Sequence, residues 1–210
     1  MNYGEMIASM DEMVGKIMGT LDRLEIREDT VVIFTGDNGT AAKSKLRHLG
    51  NKGAKYEYEK VVVTRNGERI PGGKGSLRDT GTHVPLIVSW PDTVKKGTVS
   101  DDLVDFSDWL PTLAELAGAK LDPQRPLDGQ SFAGSFLNIE GPRRKFAFSE
   151  SRGGKAFVRD QRWKLYVSGK FHDVEKDPAE KKAITGDPKD KEARDAKARL
   201  TQALEKLNFK

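Results

Sequence analysis

The sequence contains no cysteine, which removes disulfides, thiolate metal sites and a cysteine nucleophile from this chain. No stretch approaches the ~20 consecutive apolar residues that a helix needs to cross a bilayer. The opening residues, MNYGEMIASMDEMVG, put acids where a secretory leader has a basic start and an apolar block. They read as the inside of a folded domain. A dominant charge is also lacking, since 36 Lys and Arg against 32 Asp and Glu leave a net charge of +4, and the two signs are mixed along the chain. A nucleic-acid surface needs Lys and Arg gathered on one face with aromatics between them. The linear order shows no such stripe, so neither nucleic acid nor membrane is expected as a partner.

What is present is sufficient for a core. The chain has 210 residues, 36% hydrophobic and 32% charged, enough for one domain or for one domain with a small appendage. From Tyr3 to Leu24 the apolar residues recur every three or four positions, the pattern of one face of an amphipathic helix. VVIFT (31–35) follows a polar break and has the continuous apolar character of a strand buried on both faces of a mostly parallel sheet. Residues 40–60 are polar, Lys-rich and without period, which predicts a surface loop. KVVVTRNGERI (60–70) carries Asn66-Gly67 between two strand arms, a hairpin signal. VPLIVSW (84–90) predicts a second buried strand. Ser107 is placed to cap a helix that runs to Ala117 and stops at Gly118. After residue 146, FAFSE, AFVRD, WKLYV and FHDV predict a small antiparallel sheet. Ala193, Ala196, Leu200, Leu204 and Leu207 keep helical period, with Asp195 and Arg199 as an i,i+4 pair.

Two glycine-rich stretches carry the chemistry. TGDNGT (35–40) ends the first apolar run, and in open α/β sheets ligands sit beyond strand ends. Asp37 and Asn38 offer two hard oxygens suited to Ca²⁺ or Mg²⁺. Asp-Asn-Gly is equally a turn sequence, and Asn38-Gly39-Thr40 also spells a glycosylation sequon. PGGKG (71–75) sets Lys74 among glycines, where backbone N–H groups and an ammonium suit a tetrahedral oxyanion. The same composition describes a solvated loop. His83 lies just before the second strand, as a further site residue or as a structural hydrogen-bonding group.

Taken in order, strand–TGDNG, GGKGSLRDTGTHVPLIVSWP, DFSDWLPTLAELAG, LDGQSF and RDQRWKLYVSGKFHDVEKDPAEKK resemble the second half of the type I sulfatases of the alkaline-phosphatase-like superfamily. The resemblance implies an α/β fold: the C-terminal part of an alkaline-phosphatase-like mixed sheet flanked by helices, plus a small antiparallel sheet and a C-terminal helix. It places residues 1–140 in the catalytic α/β domain and 141–210 in a small C-terminal subdomain. It further implies hydrolysis of aryl or carbohydrate sulfate esters with Ca²⁺ and a formylglycine nucleophile. Asp37 and Asn38 then match the late metal-ligand pair, Lys74 the lysine that contacts sulfate, and His83 the Arg-or-His position of G-x-[RH]-x-P. The nucleophile motif C/S-x-P-S-R, the early aspartates of the metal site and the central Lys and His are absent from the 210 residues. The chain is therefore expected to be inactive alone, as a truncation, split gene or mis-called start. The N-terminal half would be its partner, and the intact enzyme would be periplasmic or secreted. A phosphodiester or phosphonate hydrolase of the same superfamily and a non-catalytic remnant or binding module are the alternatives.

Overall fold

The computed structural model describes residues 3–48, 56–65, 67–137 and 139–207. The chain divides into two compact units, Met1–Asp92 and Thr93–Lys210.

In the first unit, α1 (Tyr3–Arg23) is the expected amphipathic helix. None of its side chains is buried, and Met6, Ile7, Met13 and Ile17 lie exposed. Strands β1 (Val32–Thr35) and β6 (Leu86–Ser89) occupy the two apolar runs. They differ from expectation in direction and burial. They pair antiparallel, Val32 opposite Ser89 and Thr35 opposite Leu86, and both are only partly covered, with Ile87 58% exposed. A continuous apolar run carries no information on strand direction, which here is fixed at the far end of the pair. The buried Arg27 guanidinium donates to Thr30 O at 3.0 Å and to Ser89 Oγ at 2.6 Å, and Trp90 Nε1–H donates to Glu28 O at 2.7 Å. These contacts hold the start of β1 against the end of β6.

Residues 40–60 are not a loop. β2 (Lys43–His48) and β3 (Tyr56–Lys60) form an antiparallel pair, Lys43 opposite Lys60, Ser44 opposite Glu59 and Lys45 opposite Tyr58. The pair is hydrogen-bonded through its backbone; KSKLRH has no apolar alternation, and the Tyr-Glu-Tyr-Glu alternation of β3 is short and set in a lysine-rich stretch. β4 (Val62–Arg65) and β5 (Glu68–Pro71) make the second hairpin, with Gly67 at φ +80° in the turn. Asn66 of the predicted turn lies outside the described residues. A single helical turn, α2 (Asp79–Thr82), precedes β6.

In the second unit, a 3₁₀ turn at Phe106–Asp108 leads into α3 (Trp109–Leu116). The cap is Asp105 rather than Ser107. Its carboxylate accepts the Ser107 N–H while Asp108 accepts the Asp105 N–H, a reciprocal box. Gly118, at φ +64°, ends the helix as expected. Asp108 is fully buried and also accepts from Gln130 N–H at 2.8 Å and from both ends of the Arg144 guanidinium. That pair ties α3 to the chain that follows α4 (Ala133–Leu137).

The predicted C-terminal sheet is a meander of β7 (Ala147–Ser151), β8 (Lys155–Arg159), β9 (Trp163–Tyr166) and β10 (Phe171–Asp173), in spatial order β10-β9-β8-β7. One face supplies Val158, Trp163, Leu165 and Phe171, which pack with Ala193, Ala196, Leu200 and Ala203 of α5 (Lys191–Lys206). The small residues of α5 let the helix lie close, and Trp163 stacks on Phe171 with 5.1 Å between ring centroids. Arg199 pairs with Asp160 at 3.3 Å, not with Asp195 as its spacing suggested, because the sheet offers a carboxylate across from the helix.

The other face of the sheet is polar and still buried. Lys164 is 0% exposed, and its ammonium lies 2.8 Å from Glu180 Oε1, itself buried, and 4.0 Å from the Phe157 ring centroid. Tyr166 donates its hydroxyl to the same carboxylate. Glu180 reaches this position with φ at +51°, a left-handed backbone that only a well-determined contact sustains in a non-glycine residue. Removing one charge of such a pair leaves the other uncompensated. We therefore expect Glu180→Ala to cost about 3–5 kcal/mol in chemical denaturation, and Lys164→Met with Glu180→Leu together to cost far less.

His172 lies opposite Lys164 in the β9–β10 register, buried, with no hydrogen-bond partner at Nδ1 among the described residues. Burial lowers its pKa from the ordinary 6.5, the nearby Glu180 and Asp177 opposing, Lys164 and Lys170 reinforcing. Burial works to raise the Asp173 and Asp177 carboxyls. The Arg162 guanidinium, with the Lys176 backbone N–H, outweighs it at Asp173, and the Lys182 and Lys181 backbone N–H groups do so at Asp177. Both end below their ordinary 3.8. All three groups bind protons more readily in the unfolded chain. The His172 contribution is present above pH 6.5 and lost as pH falls below it, and the carboxylate contributions are lost only below about 3.8. Denaturation midpoints across pH should fall in two stages, and His172→Phe should remove the upper one.

Candidate functional site

The antiparallel register decides where the two glycine-rich stretches meet. Thr35 at the end of β1 lies opposite Leu86 at the start of β6, so the chain leaving β1 and the chain entering β6 emerge at the same end of the pair. Two backbone hydrogen bonds join them. Gly39 N–H donates to Gly81 O at 2.9 Å, and Lys74 N–H donates to Thr40 O at 2.9 Å. Glycine is required by the closeness of this approach. A Cβ on Gly39 would lie 2.0 Å from Thr80 O, and one on Gly73 would lie 2.0 Å from Thr80 Oγ1. The N-terminal end of α1 adds a further tie through Tyr3 OH and Thr40 Oγ1, 3.2 Å apart.

The sequence-derived site residues fall on this interlocked pair of loops. Asp37 is exposed and Asn38 half-buried, both in the loop after β1. Lys74 is exposed, with its backbone fixed by Thr40. His83 follows α2 and is half-exposed, with Nδ1 3.7 Å from Asp79 Oδ2. Asp79 went unnoticed in the sequence, where RDTGTH reads as an ordinary polar turn. It is in fact a buried carboxylate, 4% exposed, inside the loop pair. Ser76 Oγ is buried without a hydrogen-bond partner among the described residues, so it is no exposed nucleophile.

The donor set bears on metal binding through its chemistry. A carboxylate and an amide oxygen on consecutive residues fit a hard cation as part of a shell of about six to eight oxygens. Among the described residues no group of three or more His, Cys, Asp and Glu could hold a metal. No described helix is long and apolar enough to cross a membrane.

The fold is shared with known proteins. Solved structures superpose on 96% and 99% of the chain with TM-scores of 0.68 and 0.70 at 22% and 25% identity, and the fold is that of the alkaline-phosphatase-like sulfatases. Another, in complex with its substrate D-glucosamine-2-N,6-O-disulfate, has a TM-score of 0.66 over 96% of this chain and 38% of that chain, at 19% identity. The sulfatase family model matches residues 1–119, and the model for the C-terminal part of N-sulphoglucosamine sulphohydrolase matches residues 73–210. The chain belongs to the sulfatase family. It is 34% identical to the steryl-sulfatase of Mus musculus over 128 residues, 61% of this chain and 19% of that protein. It is 32% identical to arylsulfatase A of Homo sapiens over 188 residues, 84% of this chain and 33% of that protein. The chain thus spans a third or less of the length of these two relatives.

Because Gly39 sits against backbone, Gly39→Ala must push the two loops apart, at a cost of about 1–3 kcal/mol. Hydrogen exchange should show the Gly39 and Lys74 amides losing protection together while the amides of the C-terminal sheet keep theirs.

Proposed function

We propose that this chain carries the late metal-ligand and sulfate-binding residues of a sulfate-ester hydrolase. The observation that carries the reading is the interlock of the two glycine loops, which brings two hard oxygens and a lysine backbone onto one support. Family membership supplies the reaction class. The name of arylsulfatase A and the sulfated sugar bound in a solved neighbour supply the substrate class, an aryl or carbohydrate sulfate. Residues 1–140 would belong to the catalytic domain and 141–210 to its C-terminal subdomain.

In this reading Asp37 and Asn38 contribute two ligands to Ca²⁺, which when bound neutralises negative charge on the sulfate oxygens. The Lys74 ammonium adds a point charge on the same oxyanion, and its exposed position leaves it free to reach a ligand. The flanking glycines keep Cβ atoms out of the space between the loops. His83, with Nδ1 3.7 Å from Asp79 Oδ2, would serve as charge-neutralising group or as proton donor to the leaving oxygen. The formylglycine nucleophile has no counterpart among the 210 residues, since C/S-x-P-S-R is absent.

The purified chain is expected to leave a chromogenic aryl sulfate intact, and turnover would overturn the division of labour proposed here. In a full-length relative, alanine at the position aligned with Asp37 or with Lys74 should lower kcat/KM by at least about a hundredfold. Unchanged kinetics would remove that residue from the site.

A further inference from the structure

The single helical turn α2 sets an acid and a histidine four positions apart, Asp79 at its start and His83 just past its end. Residues at i and i+4 lie on one face of a helical turn, and this turn is fixed by its backbone. His83 N–H donates to Asp79 O at 2.8 Å, and Thr82 donates to Arg78 O at 3.1 Å through both its N–H and its Oγ1. Gly81, two residues from each of the pair, accepts the Gly39 N–H at 2.9 Å. The acid and the histidine are thereby tied to the interlock of the glycine loops.

Their surroundings differ. The Asp79 side chain is 4% exposed and that of His83 51%, with Nδ1 3.7 Å from Asp79 Oδ2. Which ring nitrogen of a neutral imidazole carries the proton is set by the partner that the ring meets. A carboxylate at Nδ1 draws the proton there and leaves a lone pair on Nε2. A separation of 3.7 Å is longer than a hydrogen bond, and contacts of this kind commonly tighten only when a ligand engages the far side of the ring.

We propose that Asp79 is a positioning residue for His83: it holds the neutral ring in the tautomer protonated at Nδ1 and directs Nε2 to the ester presented to the glycine loops. This deepens the reading above and rests on it for the identity of the ligand. It also narrows what His83 does there. With a lone pair on Nε2, the neutral ring has nothing to donate to an ester oxygen, so neutralising charge and protonating the leaving oxygen both require the ring protonated at both nitrogens. Loss of the Nε2 proton returns the ring to the tautomer that Asp79 holds, and Asp79 itself takes no proton.

The test is a long-range proton–nitrogen correlation spectrum of the ¹⁵N-labelled 210-residue chain at mildly alkaline pH, where an ordinary imidazole is neutral. The ring signals missing from His83→Gln identify His83. Its Nδ1 should show the shift of a protonated ring nitrogen and its Nε2 that of an unprotonated one. Asp79→Asn keeps the shape of the side chain and removes its charge, and should move the proton largely to Nε2, the tautomer that an unpartnered imidazole favours. The Gly39 and Lys74 amides should keep their hydrogen-exchange protection in this variant, which separates a change of tautomer from a loosened loop. The proposal is overturned if the ring of the unaltered chain is protonated at Nε2, or if Asp79→Asn, with those amides still protected, leaves the proton on Nδ1. Where Asp79→Asn costs the amides their protection, the tautomer of the unaltered chain decides alone. The readout needs no turnover, so its failure leaves the roles of Asp37, Asn38 and Lys74 standing. Failure of those roles in the full-length relative leaves the Asp79–His83 pairing standing.

Discussion

The site depends on the direction in which β6 runs against β1. With Thr35 opposite Leu86, the residues after one strand and before the other leave from a common edge, and a few residues of loop suffice to bring them into hydrogen-bonding contact. In a parallel pair the same segments would emerge about 10 Å apart, at opposite ends of four-residue strands. The Arg27 and Trp90 contacts hold the opposite end, so the pair is pinned at one end by side chains and at the other by backbone. Glycine follows as a steric requirement, because the neighbouring main chain leaves no volume for a Cβ at Gly39 and the Thr80 side chain leaves none at Gly73.

The second unit solves a different problem. Its sheet has two buried faces, one of them covered by α5. The face under α5 is filled by aliphatic and aromatic groups, and the opposite face by Lys164, Glu180, Tyr166 and His172. A buried ion pair adds little net stability over a well-packed apolar core. What it does impose is geometry, since the Glu180 carboxylate has one place from which it can satisfy both the Lys164 ammonium and the Tyr166 hydroxyl. The segment from Asp177 to Glu180 is therefore held in one conformation, left-handed residue included.

How much of this the sequence disclosed follows from which signals are local. The helical periods of α1 and α5 and the turn-punctuated strands β7–β10 are local patterns, and they were legible. The order of the motifs carried the family. Strand direction is not local: VVIFT looks the same whichever neighbour it meets. The β2–β3 hairpin was hidden because KSKLRH is nearly all polar and the tyrosine–glutamate alternation of YEYEK is short and set among lysines. The linear order of lysines and glutamates looked mixed, and the register puts Lys43 opposite Lys60 and Arg47 opposite Glu57. Asp79 and Glu180 were unreadable for a related reason, since burial of an acid shows only once its surroundings are built.

The Lys164–Glu180 contact bears on where the chain can be cut. The two residues are 16 positions apart and belong to segments, RWKL and DPAE, that look like a strand and an unrelated loop. A fragment ending after β9 or β10 would keep the lysine and discard the Glu180 carboxylate that lies 2.8 Å from its ammonium. The smallest stable version of this subdomain must therefore reach past Glu180, however complete its strands look before that point. Among related sequences the two positions should be exchanged together or not at all.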